Sequence, residues 1–215
     1  MSFFLEEMEY EPSDWDKANN PLLMEWIDAH VPLVSHSKVM KAILEGKAHK
    51  SPSDEFMTRT ACIGKYGFAI PTEEVLREIL ALSPKGIVEI GAGSGYWAAL
   101  LRKLGGDVIA CDDGSGLYAF KVGAFGNVEK VDYKKLLRTD ASCKDRTLLT
   151  VWPAYDNAEI FDRYKGETVV YVGEIGDGCT QYDPAIEKTW EMVKEIRIPT
   201  WSCIHDSVGI FRRKG

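Results

Sequence analysis

The stretch Ile87–Asp112, IVEIGAGSGYWAALLRKLGGDVIACD, decides the fold. GIVEI is a short, near-continuously apolar run interrupted only by Glu89, which reads as a strand covered on both faces. Gly91, Gly93 and Gly95 then make a turn, GYWAALLRKL reads as a helix, and DVIACD as a second strand. Glycine adopts positive φ and bares its backbone, so a strand, glycine turn and helix in this order can bring main-chain groups against a ligand. In an open parallel sheet, ligands bind outside the carboxyl ends of the strands. Asp112 closes the second strand about 20 residues after the loop, where a carboxylate can accept from ribose hydroxyls. The bland alternative is that the glycines serve only a tight turn.

Outward from this unit the pattern repeats. Downstream, NVEKVDY is a weaker third strand, TLLTVW a fourth, DNAEIFDRYKG a helix ended by Gly166, and TVVYVG a fifth strand. Asp183-Pro184 opens a further expected helix with Ile186, Trp190 and Val193 on its buried face. IRIPTW and SVGIFRR read as two final strands joined by a short loop, so the last must run antiparallel to its neighbour. Upstream, PTEEVLREILAL is a helix with Glu73 and Glu74 in its first turn, where the helix dipole favours them. Strands alternating with helices predict a mostly parallel sheet between two helical layers.

The first 70 residues have another texture and are expected to form a helical extension or lid, with the main domain over 71–215. Asn20-Pro21 starts a helix through LLMEWIDAH, and SHSKVMKAILEG reads as a second, capped by serine and followed by Gly46. The segment HKSPSDEFMTRTACIGKYGFAIP reads as loop with an aromatic centre at Tyr66 and Phe68.

The net charge of -7 weighs against nucleic acid as the main partner. Five scattered cysteines without CxxC spacing read as reduced thiols, and the four histidines complete no zinc cluster, so no metal is expected. An acidic start without a long apolar run is not a signal peptide, and no stretch suits a bilayer. A soluble, cytoplasmic protein with no membrane partner is expected; the sequence is silent on oligomeric state.

Two cofactor classes suit such a glycine loop. The nicotinamide fingerprint is GxGxxG, with the helix N-terminus facing a pyrophosphate. Here the spacing is GxGxG, and Tyr96 stands where the third glycine would fall. Glu89, two residues before the loop, also suits a cationic ligand better than a pyrophosphate. S-adenosylmethionine, with its sulfonium and ammonium, is such a ligand.

On these residues the chain resembles the class I methyltransferases, whose motifs I and II are similar to IVEIGAGSGYWAALLRKLGGDVIACD. The resemblance implies a Rossmann-like three-layer sandwich with an antiparallel last strand, here with the N-terminal helical extension added. It implies that Glu89, Gly91, Ala92, Gly93 and Gly95 hold the methionine end of S-adenosylmethionine. Asp112 takes the ribose, with Asp113 as its rival, and Asp132 is the candidate for the adenine amine or else a solvated acid. A second similarity, through the WPxY element and the YVGE strand end, is to a methyltransferase-like group and implies no substrate. One departure is visible: DGSGLYAFKVGAFG (113–126) has four glycines where the family carries a helix.

VWPAY, ending the fourth strand, stands where the family places its catalytic loop. Its amino-methylating branch reads Asn/Asp-Pro-Pro-Tyr there; in this chain Trp152 replaces the polar acceptor and Ala154 the second proline. Trp is a donor only, so that mode of nitrogen activation is unsupported. The Pro153 carbonyl and the Tyr155 ring remain candidates to position an acceptor, against a plain strand-to-helix turn. Glu174, after the fifth strand, is a candidate proton acceptor in a glycine-rich loop. Tyr66 is a candidate cover for the cofactor, against core packing. His205-Asp206 invites reading as a dyad, but adjacent residues rarely orient one another. The function expected is methyl transfer from S-adenosylmethionine to an unidentified acceptor. A non-catalytic module on the same fold is the alternative, and a nicotinamide-dependent oxidoreductase the third.

Overall fold

The structure, a computed structural model, describes residues 10–29, 52–116, 121–153, 157–176 and 178–215. The helix expected over SHSKVMKAILEG and the candidate Tyr155 lie outside these residues. The strands are β1 (Ile87–Ile90), β2 (Val108–Asp112), β3 (Glu129–Lys130), β4 (Thr147–Val151), β5 (Thr168–Gly173), β6 (Trp190–Arg197) and β7 (Ser207–Arg213). The described helices are α1 (Asp14–Asn19), α2 (Pro21–Ala29), α3 (Pro52–Lys65), α4 (Glu73–Ala81), α5 (Tyr96–Lys103), α6 (Tyr133–Thr139) and α7 (Asn157–Arg163).

The strands form one sheet in the order β3-β2-β1-β4-β5-β7-β6. β1 pairs in parallel with β2 and β4, and β5 in parallel with β4, whereas β7 is antiparallel to both β5 and β6. This is the Rossmann-like α/β sandwich with an antiparallel last strand. The strand order reverses at β1, between β2 and β4, and places the ligand-binding edge at the ends of those three strands.

Side chains alternate along each strand and feed two cores. Ile87, Ala110, Leu149, Val170 and Val208 face α2, α4 and α5, packing with Leu22, Trp26, Leu76 and Leu101. Val88, Ile90, Leu148, Tyr171 and Phe211 face the other layer, with Phe161 and Tyr164. Both faces of β1, β4 and β5 are therefore covered, which is why these strands read as near-continuous apolar runs. Residues 10–29 share the first core with the main sheet.

Three elements differ from the sequence-based expectation. Residues 52–65, expected as loop, form α3. This helix starts on a proline, carries Asp54 and Glu55 in its first turn and Lys65 in its last, all favourable placements. It lacks an apolar stripe: Phe56 and Met57 are 62% and 67% exposed, so periodicity could not reveal it. Instead the buried Glu55 carboxylate fastens it, accepting from the Ser202 amide at 2.8 Å and the Ser202 hydroxyl at 2.9 Å.

The helix expected from Asp183 is a single 3-10 turn, Pro184–Lys188, followed by β6. Ile186 and Trp190 are buried as expected, but Val193 is 51% exposed. A β-bulge between Met192 and Lys194 breaks the two-residue alternation, which disguised the strand as a helical stripe. The third strand shrinks to two residues because Asp132 caps α6, its carboxylate accepting from the Lys134 amide at 2.7 Å.

Candidate functional site

The turn after β1 takes three left-handed residues, Gly91 (φ 64°), Gly93 (φ 53°) and Gly95 (φ 77°). Gly95 is the N-cap of α5, and a Cβ there would lie 2.8 Å from Val128 Cγ2, so packing as well as conformation demands glycine. Gly91 differs. A Cβ there would meet nothing within 4 Å, and its backbone borders a cavity of about 210 Å³. Ala92 is buried beside it, its amide donating to Cys111 O at 3.0 Å.

Asp112 and Asp113, at the end of the adjacent β2, also line that cavity. Asp112 Oδ2 accepts from the Gly93 amide at 2.9 Å and Oδ1 from the Gly114 amide at 2.7 Å. Each carboxylate oxygen has a further lone pair, so the group is oriented by the backbone without being used up. Asp113 Oδ1 accepts from the Ser115 amide and hydroxyl at 2.8 and 2.6 Å, and these bonds hold its carboxyl below the usual carboxylate range. The two acids give this cavity, whose lining includes the apolar Ile90, Val131 and Ile160 and the Tyr133 ring, a negative end.

The described residues 121–126 brace the loop. The Gly123 amide donates to Gly93 O and the Phe125 amide to Ser94 O, both at 3.0 Å. Among the described residues, 113–128 contain no helix.

Glu89 lies on the strand below, 1% exposed, with its side chain on the α5 side and not on the cavity wall. Its Oε2 is buried with no hydrogen-bond partner. Burial pushes the carboxyl up to about 8, against the opposing pull of Arg102. An acid raised in the folded state is protonated below its unfolded value and loses stability as pH rises toward its folded one. Between about pH 5.5 and 7 this should cost roughly 2 kcal/mol. Glu89→Gln should abolish that slope in urea unfolding measured across pH; an unchanged slope would assign the titration to another group.

The other expected residues are dispersed. Tyr66 is 3% exposed, its hydroxyl donating to Glu25 Oε1 at 2.8 Å and its ring stacked on Phe125. It packs in the core and does not line the cavity. Asp132 is exposed and also off the wall, while its neighbours Val131 and Tyr133 line it. Glu174 is 4% exposed and joins two loops, accepting from the Cys179 amide at 2.8 Å and the His205 amide at 3.1 Å. Pro153 lines the cavity beside Trp152.

Trp152 holds a left-handed backbone (φ 48°), a conformation that costs a bulky residue about 1–2 kcal/mol. Its indole N–H donates to Asp206 Oδ1 at 2.7 Å, a partner the sequence did not disclose. Asp206 is 5% exposed; burial, with nearby Glu174, pushes its carboxyl up to about 7. The adjacent His205 is exposed, 3.7 Å from Glu174, so the two residues serve different partners. Among the described residues, no group of three or more His, Cys, Asp or Glu side chains could hold a metal ion. Nor is any described helix long and apolar enough to cross a membrane.

No family model and no curated protein matches the chain. Among solved structures it is similar to magnesium protoporphyrin IX methyltransferase from Synechocystis, at 12% identity over 94% of each chain, with a TM-score of 0.45. It is also similar to the N-methyltransferase NodS from Bradyrhizobium japonicum, at 14% identity over 66% of this chain and 96% of that one, with a TM-score of 0.44. Likenesses at this identity and score assign neither family nor activity.

Proposed function

We propose that the chain binds S-adenosylmethionine in the cleft between Gly91 and Asp112 and transfers its methyl group to an acceptor entering past Trp152 and Pro153. The observation that carries this reading is the bare Gly91 backbone, open to the cavity that a backbone-oriented Asp112 also lines. Gly91, Ala92, Gly93 and Gly95 supply the backbone cradle, and Asp112 accepts from the ribose hydroxyls. Asp113, bound to Ser115, adds charge that favours a cationic ligand. Val131, Tyr133 and Ile160 offer a flat apolar slot for adenine, a better placement than the capping Asp132 carboxylate. Glu89 lies beneath the loop as a buried carboxyl. Burial keeps this carboxyl protonated near neutral pH, so it supports the strand beneath the loop without adding charge to the cleft.

When bound, S-adenosylmethionine supplies an electrophilic methyl group on a sulfonium. The protein's part in such a displacement is to align the acceptor, exclude water and accept one proton. Pro153, on the cavity wall, contributes a carbonyl for alignment, and the Tyr155 ring is its proposed companion. Glu174 is better suited to fixing the loops around this end than to taking the proton, since both of its oxygens hold backbone amides. A nicotinamide ligand fits less well, because GxGxG replaces GxGxxG and β7 runs antiparallel.

Incubation with methyl-labelled S-adenosylmethionine and a panel of aromatic, amine, hydroxyl and carboxylate acceptors tests the catalytic claim. We expect S-adenosylhomocysteine to form with at least one acceptor class and not without acceptor. Binding of the methyl donor without turnover across the panel would favour the non-catalytic module, the reading that the missing polar acceptor at Trp152 supports.

A further inference from the structure

Trp152 is restrained by three separate parts of the chain. Its amide donates to Val172 O on β5 at 2.8 Å, and its indole N–H donates to Asp206 in the loop before β7. The Phe68 ring, from the connector between α3 and α4, stacks on the indole at 4.6 Å between centroids and 7° between planes. The same residue lines the cavity and takes a backbone conformation that tryptophan rarely adopts. Such strain persists only where the surroundings over-determine it, and it clusters at functional sites.

The chemistry of this arrangement is specific. Tryptophan has one hydrogen-bond donor, and here Asp206, which does not line the cavity, consumes it. What remains for a ligand is a flat π surface. A carboxylate on the indole N–H also raises the ring's electron density, which strengthens offset stacking with an electron-poor ring. Phe68 shows that the indole accepts a parallel ring, and Trp152, unlike Phe68, lines the cavity.

We propose that Trp152 is a fixed aromatic platform for a flat, unsaturated methyl acceptor, and that Asp206 and Phe68 are the positioning residues that hold its ring. The proposal rests on the reading of the cleft as an S-adenosylmethionine site. Asp206 is embedded among charged groups that bear on its own state. Glu174 at the end of β5 opposes its ionisation, Arg59 of α3 favours it, and the exposed His205 imidazole stands beyond Glu174. Burial brings this carboxyl to about 7, so the indole it holds should report its titration near neutral pH.

The test is nitrogen NMR of the tryptophan indoles in protein saturated with S-adenosylhomocysteine, with quinoline as the flat probe. The Trp152 resonance is assigned by its loss in Trp152→Phe. Quinoline should shift this resonance, and its affinity should fall about three- to tenfold in Asp206→Leu and Phe68→Ala, the loss expected for a stacked ring pair. Asp206→Asn, which keeps an oxygen acceptor, should retain most of the affinity and lose the resonance's pH titration. If Asp206→Leu does not fold, Phe68→Ala and Asp206→Asn carry the same comparison. An unshifted Trp152 resonance, or equal quinoline affinity in Phe68→Ala, overturns the platform while bound S-adenosylhomocysteine leaves the cofactor reading standing. Failure of S-adenosylhomocysteine to bind overturns both.

Discussion

Gly91→Leu should weaken S-adenosylhomocysteine binding at least about a hundredfold while the protein still folds. The two halves of this expectation come from different facts. At φ 64° a leucine costs roughly 1–2 kcal/mol of backbone strain, a tolerable loss for a domain of this size. A Cβ at this position touches nothing within 4 Å, so no clash adds to that strain. The side chain must instead occupy a cavity of about 210 Å³, and a ligand cradled on the bare backbone is displaced. Gly95 is the contrast: its Cβ would press on Val128, so substitution there damages the fold and tests nothing about the ligand. Calorimetric titration beside a thermal melt separates the two effects. Undiminished affinity in a folded Gly91→Leu protein would move the ligand to another site.

Asp16→Ala should destabilise the protein by about 4 kcal/mol, a large fraction of the stability of an ordinary domain. Asp16 is fully buried, and its carboxylate collects three donors and a Ser13 hydroxyl whose one hydrogen it shares with Glu73. Oδ1 accepts from Asn20 Nδ2 at 3.1 Å and the Glu73 amide at 3.0 Å; Oδ2 accepts from the Tyr10 and Ser13 hydroxyls at 3.0 and 3.2 Å. Asn20 extends the network, donating to Pro71 O at 2.8 Å and accepting from the Tyr96 hydroxyl at 2.8 Å. Tyr96 is the first residue of α5, so the network ties the N-terminal segment to the helix that follows the glycine loop. Truncation leaves buried donors unpaired at about 1–3 kcal/mol each. Asp16→Asn preserves an acceptor and should lose roughly half as much. Urea unfolding measures both; equal midpoints for wild type and Asp16→Ala would mean that water satisfies these donors.

The central unit was legible because its information is local. Near-continuous apolar runs, glycines at fixed spacing and an acid ending the second strand all lie within 26 residues, Ile87–Asp112. The antiparallel β7 was equally legible, since a short connection cannot make a parallel crossover. Elements held by tertiary contacts were not. α3 is fastened by Glu55 to Ser202, far along the chain, and has no stripe to betray it. β6 was hidden by a one-residue bulge that mimics a helical period. At the site, Glu174 sits in a sequence that resembles an exposed glycine loop, yet backbone amides draw it into the interior. Asp206 stands 54 residues from the tryptophan it binds, a separation no local pattern bridges.

Calorimetric titration of the wild-type protein with S-adenosylmethionine, S-adenosylhomocysteine and NAD, repeated on Asp112→Ala, tests the methyl-donor site most directly. The expected result is one S-adenosylhomocysteine bound per chain, no heat from NAD, and affinity reduced about thirtyfold or more in Asp112→Ala through loss of charge-assisted bonds to the ribose. No binding of either sulfur ligand, or equal affinity in a folded Asp112→Ala protein, would contradict it.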